Sequence, residues 1–323
     1  MSTAAIALRD IAPVGRDLHR QECVLPAPNG DVFVPDWRGG VSVVRANGSV
    51  ESWLAKNLDF ELRPNGIGFL PDARFLIANL GDEGGIWSMD RYGQAAPFLT
   101  ELGGTRLPPA NFVHVDEEER IWVTVSTRHI PRQSAWRSDI RDGLLILVDR
   151  NGAHLLEDSL HYTNEARTDP SGRFVYVVET FGRRLIRYPI QKDRLGAREL
   201  VVQLRYGQLP DGFAFDREGG IWITCLGSNQ VLRLTADGEL TMMIAETNQA
   251  FVDEMETAFV EGRMDRSHLG PIPETRFQHL TSIGFGGPDS RTGYLGSLHA
   301  DCIYRFKSPV AGVSQPYWAY PLP

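Results

Sequence analysis

The stretch LPDGFAFDREGGIWITC, Leu209 to Cys225, decides how this chain folds. It opens on a polar residue, Asp211, runs on as a short apolar segment and turns through Asp216, Arg217, Glu218 and Gly219. A second apolar segment follows, with Trp222 between Ile221 and Ile223. Two short runs rich in β-branched and aromatic residues, joined by a glycine-containing turn, predict a β-hairpin. The pattern occurs six times, with the key residue of its second run at Phe33, Leu76, Trp122, Tyr176, Trp222 and Tyr294. Eleven or twelve residues before each of these stands a polar residue that opens the unit: Glu22, Asn65, Asn111, Asn164, Asp211 and Ser282.

Outward from each hairpin the chain carries two more strand patterns, such as GGVSVVRANGSVESW after the first copy and GGIWSMDRYGQAAPFL after the second. Repeats of roughly 40 to 50 residues with four strands apiece are the signature of a β-propeller. The expectation is an all-β protein: a six-bladed β-propeller with four-stranded antiparallel blades around a central channel. Residues 1–323 form one domain, with blades starting near 22, 65, 111, 164, 211 and 282. Two intervals between openings are long, each because of an insertion. STRHIPRQSAWRSDIRDG interrupts the third unit, and NQAFVDEMETAFVEGRM follows the fifth with Phe251, Met255, Phe259 and Met264 at helical spacing. The second predicts a short helix near 247–264, and both insertions read as lids. Trp122, Tyr176 and Trp222 read as blade core, and DEEER at 116 to 120 as a solvated turn. Either residues 1 to 20 or the tail SQPYWAYPLP supplies the strand that closes the ring.

Composition narrows the function. A chain of 323 residues with 42% hydrophobic content buries a large core. Its formal net charge of −8 and scattered Lys and Arg disfavour a nucleic-acid partner or an anionic membrane. The three cysteines, Cys23, Cys225 and Cys302, form no CxxC pair, which fits a reducing compartment. With no secretory core and no stretch near the ~20 apolar residues of a membrane span, a cytoplasmic monomer or small homo-oligomer is expected.

If every opening residue begins the innermost strand of its blade, all six converge on one mouth of the channel. Carboxylates and amides crowded there without partners cost on the order of several kcal/mol. A hard divalent cation removes that cost. Asn and Asp or Glu oxygens are the ligand set of Ca²⁺, whereas a soft metal requires His or Cys. Mn²⁺, Zn²⁺ and Mg²⁺ are the alternatives to Ca²⁺.

The runs PANFVHVDEEERIWVT, TNEARTDPSGRFVYVVETFGRRLIRYPI, LPDGFAFDREGGIWITC and IGFGGPDSRTGYLGSL resemble successive blades of the senescence-marker-protein/gluconolactonase family of propeller lactonases. More distantly they resemble diisopropyl-fluorophosphatase and paraoxonase. The resemblance covers about residues 20 to 308 and implies one catalytic divalent metal held by Glu22, Asn111, Asn164 and Asp211. It implies hydrolysis of a small-molecule lactone or ester, with Asp211 activating water or attacking directly. Asn65, Ser282, His299, His129 and Trp136 are the expected substrate contacts, with His114 a further candidate. The family pattern differs at three points: QECVLP around Glu22, Pro109 in place of a sugar-binding Arg, and Ser282 in place of an Asn. Together with the apolar Ile130, Trp136, Phe251 and Phe259 of the insertions, this favours a substrate less polar than a sugar lactone. A phosphotriesterase-like hydrolase on the same metal and a non-catalytic ligand-binding propeller are the alternatives.

Overall fold

Each predicted hairpin forms the inner half of an antiparallel sheet, and the six sheets make six blades. The computed structural model describes residues 5–192 and 194–323. In the fifth blade the strands are Gln208–Phe215, Ile221–Gly227, Gln230–Leu234 and Leu240–Ala245, innermost first. The first strands of the other blades are Leu25–Pro26, Pro64–Phe69, Phe112–Val115, Thr163–Thr168 and Leu280–Gly286. The fourth blade carries an extra two-residue strand, Arg194–Leu195, beside its third strand.

The sixth blade settles how the ring closes. Ile11–Val14 pairs antiparallel with Ile303–Lys307, so its outer strand comes from the N-terminal lead-in. The tail, interrupted by Pro316, instead forms a short 3-10 turn at Pro316–Ala319. Tyr317 Oη and Trp318 Nε1 each donate to the Pro26 carbonyl at 2.8 Å, which fixes the tail across the lower mouth of the channel.

Blade cores follow the repeat. Trp222 is fully buried against the next blade, 5.4 Å from the Phe285 ring and 6.1 Å from Phe306. Trp122 occupies the same place two interfaces earlier, packed with Ala166, Val175 and Val177 of the fourth blade. Burying one such side chain contributes about 2–3 kcal/mol, and the repetition welds neighbouring blades together. The indole nitrogens are also satisfied: Trp222 Nε1 donates to Asp216 and Trp122 Nε1 to Asp116, both at 2.9 Å. The DEEER turn therefore differs from expectation. Asp116 is buried and accepts from Glu118 N, Arg120 N and Arg120 Nε as well, because the indole beneath it needs an acceptor.

The insertion after the fifth blade contains one helix, α1, Gln249–Val260, with the Asn248 side chain capping it by accepting from Phe251 N. Its apolar face packs inward. Met255, Ala258 and Phe259 pack with Trp136 of the other insertion and with Phe181, Leu209 and Leu226 of the blades. The apolar residues of the two insertions thus satisfy one another, apart from exposed Ile130 and Val260, and the packed ones offer no argument for an apolar substrate. No helix among the described residues is long and apolar enough to cross a membrane.

Candidate active site at the channel mouth

Four of the opening residues sit in the same local distortion. The first two strands of a blade slip register between Pro64 and Ile67, Thr163 and Ala166, Pro210 and Phe213, and Leu280 and Ile283. The residues passed over include Asn65, Asn164, Asp211 and Ser282. A β-bulge re-aims side chains and ends pairing, and here it takes each opening residue out of the ladder at the same end of its blade. Sequence carries part of this signal as the glycine after the polar residue. A Cβ on Gly66 would lie 2.7 Å from Phe112 Cα, and one on Gly212 would lie 2.6 Å from the Thr281 carbonyl. Only glycine admits the neighbouring blade that closely.

A second recurrent device holds the bulges. Thr124 and Thr224 each stand two residues after a blade tryptophan. Thr124 Oγ1 donates to the Asn164 carbonyl at 2.7 Å, and Thr224 Oγ1 to the Thr281 carbonyl at 2.7 Å while accepting from Gly212 N at 3.0 Å. The W-x-T pattern was the available signal for these two residues.

The side chains then meet one another. Asn111 Nδ2 donates to Asn164 Oδ1 at 2.7 Å, and Asn65 Nδ2 donates to the Asn111 carbonyl at 3.0 Å. Asn164 Nδ2 in turn donates to Thr180 Oγ1 at 3.3 Å. Asn65 Oδ1 is buried without a hydrogen-bond partner. Glu22 Oε2 lies 2.9 Å from Arg20 Nη2, yet no N–H is directed well enough to bond it. Glu22 itself is positioned by Gln21, whose Nε2 donates to the carbonyls of Ala300 and Cys302 at 2.7 and 2.6 Å.

Asp211 is buried, and burial first, then the charges of Glu22 and Glu165, push its pKa well above the usual carboxylate range; Arg20 and Arg132 oppose the rise. Glu165 belongs to a buried network that sequence alone did not single out. Its Oε1 accepts from Ser282 Oγ at 2.9 Å and its Oε2 from Arg167 Nε at 2.8 Å. Ser282 is therefore at the mouth, and its hydroxyl is engaged with Glu165.

Arg132 was also missed. It lies in the third-blade insertion, where no periodicity orders it, yet its Nη2 donates to Asn111 Oδ1 at 3.1 Å and Ser126 Oγ at 2.8 Å. The remaining expected contacts hold the lids. Trp136 Nε1 donates to Tyr162 Oη at 2.8 Å, and His129 Nδ1 lies 2.9 Å from Asp142 Oδ2. His299 Nε2 donates to the Leu269 carbonyl, and its neighbour His279 donates to Gly270 O. His114 is at the opposite end. It lines a cavity of about 130 Å³ under the tail, with Arg167 and Tyr317. Burial pushes its pKa down to about 3, so it is a neutral imidazole and no part of the upper mouth.

The donor set fits a hard divalent cation. Its unpartnered buried oxygens include Glu22 Oε2 and Asn65 Oδ1, the amides of Asn111 and Asn164 stand beside them, and the carboxylate of Asp211 adds a further hard oxygen donor. Among the described residues no three His, Cys, Asp or Glu side chains cluster as a metal site, so the amide oxygens would have to complete the shell.

Residues 38–251 match the model of the SMP-30/gluconolactonase/LRE-like region. A 6-deoxy-6-sulfogluconolactonase from Pseudomonas putida is 27% identical over 253 residues, covering 73% of this chain and 74% of that protein. A gluconolactonase from Xanthomonas campestris superimposes with a TM-score of 0.66 at 19% identity, over 91% of this chain and 88% of the other. A calcium-binding protein, regucalcin, from Agrobacterium tumefaciens superimposes with a TM-score of 0.66 at 18% identity, over 94% and 97%. The match spans more than half of the chain, and the chain belongs to the SMP-30/gluconolactonase/LRE-like family.

Proposed function

We propose that this protein hydrolyses the ester bond of a lactone at the bulged mouth of the channel, using a divalent cation, Ca²⁺ foremost. Glu22, Asn111, Asn164 and Asp211 would hold the cation. The observation that carries the reading is Asp211: a buried carboxylate with its pKa raised well above normal, in a ring of amide and carboxylate oxygens. Perturbed carboxylates of this kind mark sites of chemistry. The names of the relatives, a sulfogluconolactonase, a gluconolactonase and a calcium-binding protein, support the same choice.

A cation bound there supplies a Lewis acid that polarises the lactone carbonyl and offsets the negative charge developing on its oxygen. Asp211 accepts a proton from the attacking water. The water oxygen bonds to the carbonyl carbon, the ring C–O bond breaks, and the proton passes to the departing ring oxygen, leaving a hydroxycarboxylate. Glu165, fixed by Arg167 and Ser282, is a second negative charge that makes Asp211 a stronger base. Asn65 and Ser282 would border the floor for the substrate, and the lid residues His129 and His299 its wall.

A pH-stat screen of lactones of increasing ring size, with Ca²⁺ and with EDTA, tests the reading. Hydrolysis that needs the cation and disappears in Asp211→Asn is expected. Turnover of phosphotriesters but not lactones, or lactone turnover indifferent to chelation, would overturn it.

A further inference from the structure

We infer that the substrate bears an anionic oxyacid group, a carboxylate or a sulfonate, recognised by the guanidinium groups of Arg20 and Arg132; this rests on the reading of the site as a cation-dependent lactonase. The two residues come from unrelated parts of the chain, the N-terminal lead-in and the third-blade insertion, and reach the mouth from different sides. Arg20 is on the Glu22 side, with Nη2 2.9 Å from that carboxylate, and Arg132 is on the Asn111 side, donating to its amide oxygen. Both act by charge on Asp211.

Each guanidinium lies over an aromatic ring. Arg20 Cζ lies 4.1 Å from the Trp37 ring centroid and Arg132 Cζ 5.5 Å from that of Tyr162. The Tyr162 platform is itself fixed, because its hydroxyl accepts from Trp136 Nε1 at 2.8 Å. An aromatic face beneath a guanidinium attracts the cation and limits where its remaining N–H groups can reach. In both residues the Nε–H is buried and has no acceptor. Arg20 also holds a left-handed backbone, φ 58°, a strained conformation that tends to persist where a site depends on it. A guanidinium edge left without an acceptor is suited to a planar or tetrahedral oxyanion, which satisfies several N–H groups at once.

Charge balance points the same way. Glu22 and Asp211 are offset by Arg20 and Arg132, and Glu165 by its partner Arg167. With Asp211 ionised as a ligand must be, these charges balance, and a divalent cation leaves two positive charges uncompensated. The cation would also take the oxygens of Glu22 and Asn111 on which the two guanidinium groups now lean. A neutral lactone repairs neither deficit. A lactone with an anionic arm supplies both a charge and acceptors for the unpartnered N–H groups.

The test is calorimetric titration of the Ca²⁺-loaded protein with three ring compounds that cannot be hydrolysed: cyclopentanecarboxylate, cyclopentanesulfonate and neutral cyclopentanemethanol. At least one anion is expected to bind roughly tenfold or more tightly than the alcohol, the fold-change of a single charge-assisted hydrogen bond. Which anion it is identifies the oxyacid. Arg132→Met and Arg20→Met should each reduce that preference to within about threefold, with Arg132→Lys retaining part of it. Ca²⁺ affinity measured in every variant shows that the mouth is still assembled, and the wild-type preference needs no variant. Equal affinity for all three compounds, or equal weakening of all three in both Met variants, would overturn the inference. Kinetics separate the two claims. Equal kcat/KM for a neutral γ-lactone and its 5-carboxylate removes the anion site but leaves a lactonase. Arginine-dependent anion binding with no lactone hydrolysed removes the lactonase but leaves the anion site.

Discussion

The fifth blade holds two buried aspartates five positions apart, one at the bulge within the first strand and one in the turn just after it, and they are held in contrary ways. Asp216, in the turn, accepts from Glu218 N at 2.9 Å, Gly220 N at 2.8 Å, Trp222 Nε1 at 2.9 Å and Arg233 Nε at 2.7 Å. Although burial alone would raise its pKa, the bonds from Arg233, Gly220 and Trp222 outweigh it and hold the pKa below normal. Asp211, at the opening, is just as buried, but no hydrogen bond pulls its pKa back down. One carboxylate is saturated by its own blade and serves structure. The other sits at a bulge, and under the proposed function it would hold the cation and take the proton of the attacking water.

That contrast makes the largest predicted effect one of activity. Asp211→Asn should lower lactone kcat/KM by about 10³-fold, within the range general-base catalysis contributes, with little loss of fold. Asp216→Asn should leave the kcat/KM of folded protein unchanged in the same assay. Its cost appears in denaturant unfolding instead, at about 3 kcal/mol, because Arg233 and the indole lose a buried charged partner. Loss of activity in both, or of stability in both, would erase the distinction.

The pH dependence should run in opposite directions for the two residues. The raised pKa of Asp211 stabilises the fold below the normal carboxylate range, a contribution lost as pH rises through the folded value. Metal-free Asp211→Asn should therefore melt above metal-free wild type at pH 8, with the gap closing toward about pH 4. The lowered pKa of Asp216 stabilises at neutral pH and is lost as pH falls through its folded value, so its variant should lose its disadvantage in acid.

Cation binding offers a further check. Ca²⁺ at a hundred times its dissociation constant should stabilise wild type by about 2.7 kcal/mol, release protons into weak buffer and bind more tightly as pH rises. Asp211→Asn should abolish the proton release. The smallest effect concerns an outer partner: Thr180→Val removes the acceptor of Asn164 Nδ2 and should weaken Ca²⁺ binding by roughly tenfold, read by calorimetry.

How much of this could be read beforehand varies by residue. Trp122 and Trp222 announce the hairpin, and counting back from them finds Asn111 and Asp211. The bulge that turns Asp211 inward shows only indirectly, as Gly212. Arg132 and Arg20 left no periodic trace, since one lies in an insertion and the other in the lead-in. Asp116 was misjudged because a run of charged residues resembles solvent-facing turn, and only the indole of Trp122 beneath it explains its burial. The tail and the lead-in read equally well as a closing strand. Ile11–Val14 offers four residues in register with Ile303–Lys307, while the tail is broken by Pro316 and turns across the lower mouth.

Local pattern was enough to establish the hairpin repeat, the number of blades and the positions where polar residues begin them, because strand periodicity and turn chemistry act over a few neighbouring residues. Which polar groups remain without partners is a different kind of property. It depends on segments far apart in the chain: Gln21 against blade six, Glu165 against Ser282, Arg132 against Asn111. Burial and charge pairing are set by everything within a few ångströms, so the chemistry of Asp211 emerged only when the ring closed around it.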